Sequence, residues 1–317
     1  ISRRLAEAYT ALGKGDVDTA EAGFAAIIGD APGAAAYAGL SRVYARRPDK
    51  GGRFPERVEA ARKAVELDPS GVAGQTALSA ALLADGDTSG ALKAAQAATA
   101  GAPDASALAA LALANLADFQ PALALSATLK ALELDPQSAE AWLALGSARA
   151  GQGDHGRAAA ALGQAVSLRP DDPLYRVALA RQWQAMDRYE KAEAEAIAAL
   201  ARNGTHLGAL MALAAARGAQ GYVDEAELTL KRTQELYPGS IEPILVWART
   251  HPTSGATDVT LQKIRDGLLR FADSPALRFA LIEALAVKAD CAGADRESEL
   301  LIADRPRDPR AHFISGV

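Results

Sequence analysis

The chain has 317 residues, 50% of them hydrophobic but only 5% aromatic, and alanine fills about a quarter of all positions. Alanine, leucine, glutamate and arginine favour helix, and the shortage of β-branched and aromatic residues excludes an all-β fold. The formal charge of −5 argues against nucleic-acid or anionic-membrane binding through a general positive field, and no apolar run is long enough to span a bilayer. The single Cys291 excludes an intrachain disulfide and leaves cytoplasm and periplasm both open as compartments. The chain opens on Ile1 rather than methionine and shows no leader, so it reads as part of a longer or processed polypeptide.

Punctuation recurs along the chain at Pro32, Pro69, Pro103, Pro136, Pro170, Pro238 and Pro306. The last four are 34, 68 and 68 residues apart, so the period is 34, with Gly204 and Ala272 standing at the missing beats. Units are expected at 1–33, 34–71, 72–104, 105–138, 139–172, 173–206, 207–240, 241–274 and 275–308, and a tenth opens at 309–317. Unit 1 carries Ala8, Ala20, Phe24, Ile27 and Pro32 on two helical stripes. Unit 2 is longer, because Arg46-Arg47-Pro48-Asp49-Lys50-Gly51-Gly52-Arg53 replaces a tight turn. Unit 4 repeats the stripe with Leu111, Ala112, Ala124 and Ala131. Unit 5 is the clearest: Trp142, Leu145 and Gly146 on a first helix, a turn at 151–154, then Ala158, Leu162, Ala165 and Leu168 on a second that Pro170 ends. Unit 8 has an irregular turn at 250–258. Alanines 20, 91, 158, 192 and 226 recur where paired helices must approach closely.

This 34-residue helix–turn–helix, with Trp-x2-Leu-Gly, a small residue at the helix crossing and a closing proline, resembles the tetratricopeptide repeat over the whole chain. The resemblance implies an all-α fold, a right-handed α-solenoid forming one continuous array over residues 1–317, and a non-enzymatic role. In that family the first helices line a concave groove through the second, fifth, ninth and twelfth residues of each unit. Carried over, these are Tyr9, Arg42, Leu113, Leu143, Ser147, Val177, Arg181, Met211, Leu245, Arg249 and Phe279, with Leu5, Leu12, Thr76, Leu83, Leu116, Glu140 and Gln184 among their neighbours. The expected occupant is a helix or apolar segment of a partner protein, with Arg42, Arg181 and Arg249 fixing acidic groups. The basic loop, through Arg46, Arg47, Lys50 and Arg53, is a second place for an acidic contact. The groove lacks the lysines and asparagines of a carboxylate clamp, and Asn115 and Asn203 make no asparagine ladder.

Other motifs dissolve into the repeat. Gly151-x-Gly153-x-x-Gly156 matches a dinucleotide fingerprint, but a helix precedes it where the fingerprint needs a strand. The four histidines lie in separate units, and Cys291 has no thiol companion and reads as a half-buried filler, so neither metal nor cofactor is expected. The alternative role is the recognition region of a larger enzyme, such as a transferase, whose catalytic domain lies outside this segment. The uncapped tenth unit motivates that reading, and self-association through uncapped ends is a further expectation. The Ala-rich, Arg-rich composition suggests a bacterial setting in secretion or envelope assembly.

Overall fold

A computed structural model of the protein describes residues 2–46, 55–250, 257–272 and 274–304. Eighteen α-helices and no strand lie among them. In order they are α1 (Ser2–Gly13), α2 (Val17–Asp30), α3 (Ala34–Arg46), α4 (Pro55–Leu67), α5 (Val72–Asp85) and α6 (Thr88–Thr99). Then come α7 (Ala105–Ala117), α8 (Pro121–Leu134), α9 (Ala139–Gly151), α10 (His155–Leu168), α11 (Pro173–Ala185) and α12 (Tyr189–Arg202). The last six are α13 (Leu207–Ala219), α14 (Val223–Leu236), α15 (Glu242–Thr250), α16 (Thr257–Arg270), α17 (Pro275–Val287) and α18 (Cys291–Asp304). Arg47, Lys50 and Arg53 of the basic loop, most of the unit 8 turn, and the segment from Pro309 fall outside the described residues.

Three devices recur on the 34-residue beat. The turn between paired helices needs one residue in the left-handed region, supplied by Gly15, Gly86, Gly153 and Gly221 at φ between 77° and 86°. At the same place in other units stand Phe119, Asp187 and Ala289, at φ 57°, 56° and 61°. In four of these seven turns the next residue is an aspartate that caps the second helix: Asp16, Asp87, Asp154 and Asp290 accept the backbone N–H of Thr19, Gly90, Arg157 and Gly293 at 2.8 to 3.1 Å. The third device ties the junction between repeats. Gln75, Trp142, Arg176 and Arg278 each donate to the carbonyl six residues earlier, on Pro69, Pro136, Pro170 and Ala272, at 2.8 to 3.4 Å.

Packing within each pair depends on missing side-chain bulk. Ala20, Ala91, Ala124, Ala158, Ala192 and Ala226 are all completely buried. A Cβ on Gly146 would stand 2.5 Å from Leu162 Cγ, which fixes how closely α9 and α10 meet. The chain divides into a first compact unit ending at Ala212 and a second starting at Leu213. In the first, the cluster centred on α7, α8 and α9 is built almost entirely from alanines flanked by Leu111, Leu113, Leu116 and Leu132. The second packs on larger aliphatics: Ile244, Leu261, Ile264, Leu277, Leu281 and Leu285. Cys291, expected half-buried, is exposed, because it opens α18 on the turn side where no neighbouring helix covers it. No helix among the described residues is long and apolar enough to cross a membrane.

The turn geometry gives a reciprocal prediction. Phe119 is 91% exposed and packs against nothing that would be lost, so Phe119→Gly relieves only backbone strain. It is expected to raise stability by about 1 kcal/mol. Gly153→Ala places its Cβ in open space and should lower stability by a similar ~1 kcal/mol through backbone strain alone. Urea unfolding followed by circular dichroism checks both; equal midpoints for all three proteins would contradict the turn account.

Candidate binding channel

The first helices of the leading repeats, α1, α3, α5, α7 and α9, stand in series, each against the next. Together with the loop before α11 they line a channel of about 770 Å³. The lining shifts along each helix in turn. In α1 and α3 it comes from the ninth and twelfth places, as Tyr9, Leu12 and Arg42; in α5 from the fifth to the twelfth, as Thr76, Ala80 and Leu83. In α7 it is Ser106, Ala109 and Leu113, in α9 Glu140 and Leu143, and in α11 Leu174 with Tyr175. The channel therefore crosses the row of first helices obliquely.

That obliquity sorts the expected groove residues. Tyr9, Arg42, Leu113 and Leu143 come together on the channel, with Leu12, Thr76, Leu83 and Glu140. Ser147, Val177 and Arg181 do not join them. Ser147 Oγ donates to the Leu143 carbonyl at 2.9 Å. Val177 is buried against Ala199 and Ala209, and Arg181 is exposed. Met211, 3% exposed, is part of the packed interior. In the second compact unit, Leu245 packs on the Ile244–Leu285 cluster, Arg249 is exposed, and Phe279 packs beside Ile282 and Leu301.

Arg46 ends α3 and points across the channel rather than into a free loop. Its Nη2 meets Asp172 Oδ2 at 2.6 Å, with the side chains 23% and 3% exposed. Asp172 also caps α11 by accepting the Leu174 N–H at 3.0 Å. Beside it, Asp171 pairs with Arg202 at 2.7 Å. The turn after α1 lies against this same loop: a Cβ on Gly13 would be 3.1 Å from the Arg169 guanidinium, and one on Gly15 would be 3.5 Å from the Asp171 carbonyl. The first repeat thus touches the junction between the fifth and sixth, and the row of repeats returns on itself. Leu168, Arg169, Asp171, Asp172, Tyr175 and His206 enter the lining for this reason, and a repeat frame that considers only first-helix positions misses them.

Burial sets the protonation of the lining. The Tyr175 phenol is pushed well up, chiefly by desolvation, with Glu140 and Asp172 acting in the same direction. Tyr9 is raised by burial and partly offset by Arg42, and its hydroxyl donates to the Ala35 carbonyl at 2.8 Å. Arg42 meets no carboxylate among the described residues. His206 is held below the ordinary imidazole value by desolvation; Asp172 opposes this, while Arg181 and Arg46 add to it. Its Nδ1 accepts the Ala209 N–H at 3.2 Å and so caps α13 in the neutral form.

These paired helices and their repeating turn define a helical-repeat solenoid, with a channel along the first helices of its first compact unit. The chain contains tetratricopeptide repeats: residues 5–72 and 139–181 match models of the tetratricopeptide repeat. No curated protein matches the sequence. Among solved structures, the APC/C hetero-tetramer Cut9–Hcn1 is similar at a TM-score of 0.69 and 17% identity, over 94% of this chain and 58% of that one. A human IFIT1 dimer with PPP-AAAA is similar at a TM-score of 0.62 and 17% identity, over 96% of this chain and 72% of that one. At these identities the likeness is one of fold. The chain spans little more than half of the first.

The His206 cap makes stability depend on pH. A depressed folded-state value means the unfolded chain binds the extra proton more readily, so the contribution is present above about 6.5 and is lost as pH falls below it. His206→Asn keeps a capping acceptor that does not titrate. Hydrogen-exchange protection in α13, taken relative to the intrinsic exchange rate at each pH, should fall between pH 7.5 and 5.5 in the parent protein and change much less in the variant. The same loss of protection in both would remove His206 as the cause.

Proposed function

We propose that the chain is a non-enzymatic interaction scaffold that holds a segment of a partner protein in the channel of its first compact unit. The tetratricopeptide family and the shared solenoid fold support a protein-interaction role. The observation that carries the channel reading is its lining, in which Leu83, Leu113 and Leu143 form an apolar wall beside Arg42, a half-buried cation with no carboxylate partner among the described residues. Desolvated cations next to apolar surface favour a ligand that brings both carboxylates and aliphatic side chains. Exposed Arg181 and Arg249 are further points of acidic contact away from the channel. The alanine- and arginine-rich composition supports a bacterial setting, in secretion or envelope assembly.

Arg42→Glu and Leu143→Glu each place a negative charge on the lining. Both are expected to reduce partner recovery from native lysate by about tenfold or more, through repulsion and lost apolar contact, while the far-ultraviolet circular dichroism stays helical. Unchanged recovery by folded variants would mean that the partner is held elsewhere.

A further inference from the structure

We infer that the second compact unit carries a site for a small linear dicarboxylate, a short aliphatic chain with a carboxylate at each end, in a cavity formed by α14, α15 and α16. The site shares no residue with the channel and does not depend on its role. The cavity measures about 190 Å³, and every residue that lines it is on one of these three helices. Its floor is α15, where Pro243, Ile244 and Trp247 are buried. On α16, residues 263, 266 and 270 recur at steps of three and four, so Lys263, Asp266 and Arg270 share one face of that helix and form a charged rim. Three contacts fix the order along the cavity. Lys263 Nζ stands 4.1 Å from the centre of the Trp247 ring, a Cβ on Gly267 would stand 2.8 Å from Ile244 Cδ1, and Arg270 Nη2 donates to the Pro238 carbonyl. One cation is therefore anchored at the Trp247 end and the other near Pro243, while Gly267 brings the α16 backbone onto Ile244 between them.

Charge and spacing define the ligand. Lys263 and Arg270 meet no carboxylate among the described residues, whereas Lys231, the third lining cation, pairs with Glu227 at 3.0 Å. The half-buried Lys263 ammonium lies on the indole face, a contact that positions its charge without neutralising it. Lys263 and Arg270 are two turns apart on α16, about 10 Å along its axis. Because each is anchored at its own end, a compact anion such as phosphate satisfies one of them at a time, and a molecule with two separated carboxylates reaches both. Asp266, which accepts Gln262 Nε2 at 2.8 Å, carries the negative charge on the rim between them and repels a ligand charged along its middle. A neutral methylene chain over Pro243, Ile244 and Trp247 meets that requirement. Size agrees: about 190 Å³ equals about six waters in the liquid, room for a short diacid. One turn of an α-helix, about 10–12 Å across and 5.4 Å long, displaces roughly 500 Å³, so a helix of a partner does not enter.

Titration of the full chain with adipate, followed by nuclear magnetic resonance of the indole N–H groups of its three tryptophans, tests the site. Trp142→Phe and Trp183→Phe assign the signals. Adipate is expected to shift the Trp247 signal saturably and to leave those of Trp142 and Trp183 in place. Hexanoate, which lacks the second carboxylate, should bind about tenfold more weakly. Lys263→Met and Arg270→Met should each lower adipate affinity to that of hexanoate, while Lys231→Met, which removes a cation already paired, should change it by less than about twofold. No saturable shift at Trp247, equal affinity for adipate and hexanoate, or tighter binding of phenyl phosphate than of adipate would overturn the dicarboxylate site. The comparison of adipate with hexanoate and phenyl phosphate uses the unaltered protein, so it decides the matter even if a variant does not fold. Partner recovery through Leu143 and Arg42 is read separately, and the scaffold reading survives failure here.

Discussion

Everything in this protein depends on two helix backbones coming close at one small residue per repeat. A completely buried alanine at the crossing, six times over the described pairs, lets each second helix lie directly on its first. In the first compact unit this close contact holds each second helix to its first, and α1, α3, α5, α7 and α9 stand in a row, each against the next. Bulk at the crossing would be felt repeat by repeat, since no single central core exists to absorb it. The same demand explains the core composition of the first compact unit, where alanine clusters do the packing and leucines fill the margins.

Closure of the row adds a second kind of interaction. Repeat proteins are held mainly by contacts between neighbours, and cooperativity decays along the array. The Arg46–Asp172 pair and the seat of Gly13 on the 169–173 loop join the first two repeats to the junction of the fifth and sixth. A buried ion pair adds little net stability after desolvation, and its better-attested effect is to specify one arrangement over others. Here it joins residues 126 positions apart. Arg46 also leaves its Nε buried without a partner within the described residues, a cost that a purely stabilising contact would avoid.

What the sequence made legible follows from how far each signal reaches. The 34-residue beat, the Gly–Asp turn, the buried alanines and the helix pairs are set within a few residues of chain, so periodicity reveals them. Tyr9, Arg42, Leu113 and Leu143 could be placed on the concave side because their repeat positions face it wherever the row is regular. Ser147, Val177, Arg181 and Met211 hold similar positions, yet do not line the channel. The cause is the oblique path: the lining moves from the ninth and twelfth places in the first repeats to the second and fifth in the later ones. A frame that assigns every repeat the same facing residues does not contain that drift. Asp172, Tyr175 and His206 were beyond reach for a stronger reason, since they become lining only when distant repeats meet.

The drift also bears on what the channel would recognise in its proposed role. If all repeats presented the same places, the lining would repeat its chemistry and bind segments of repeating pattern. An oblique path instead samples the C-terminal ends of early first helices and the N-terminal ends of later ones. Those ends differ in kind: cations favour a helix C-terminus and carboxylates its N-terminus, through the helix dipole. Arg46 closes α3, while Glu140 stands in the first turn of α9 and Asp172 caps α11. The early side of the channel is therefore basic, through Lys14 and Arg42, while on the later side Asp171 and Asp172 are ion-paired and Glu140 is offset by Arg169. The Arg46–Asp172 contact forms where the two sides are brought together by closure. A segment held there in the proposed role would be oriented by Lys14 and Arg42, its negative groups drawn toward them.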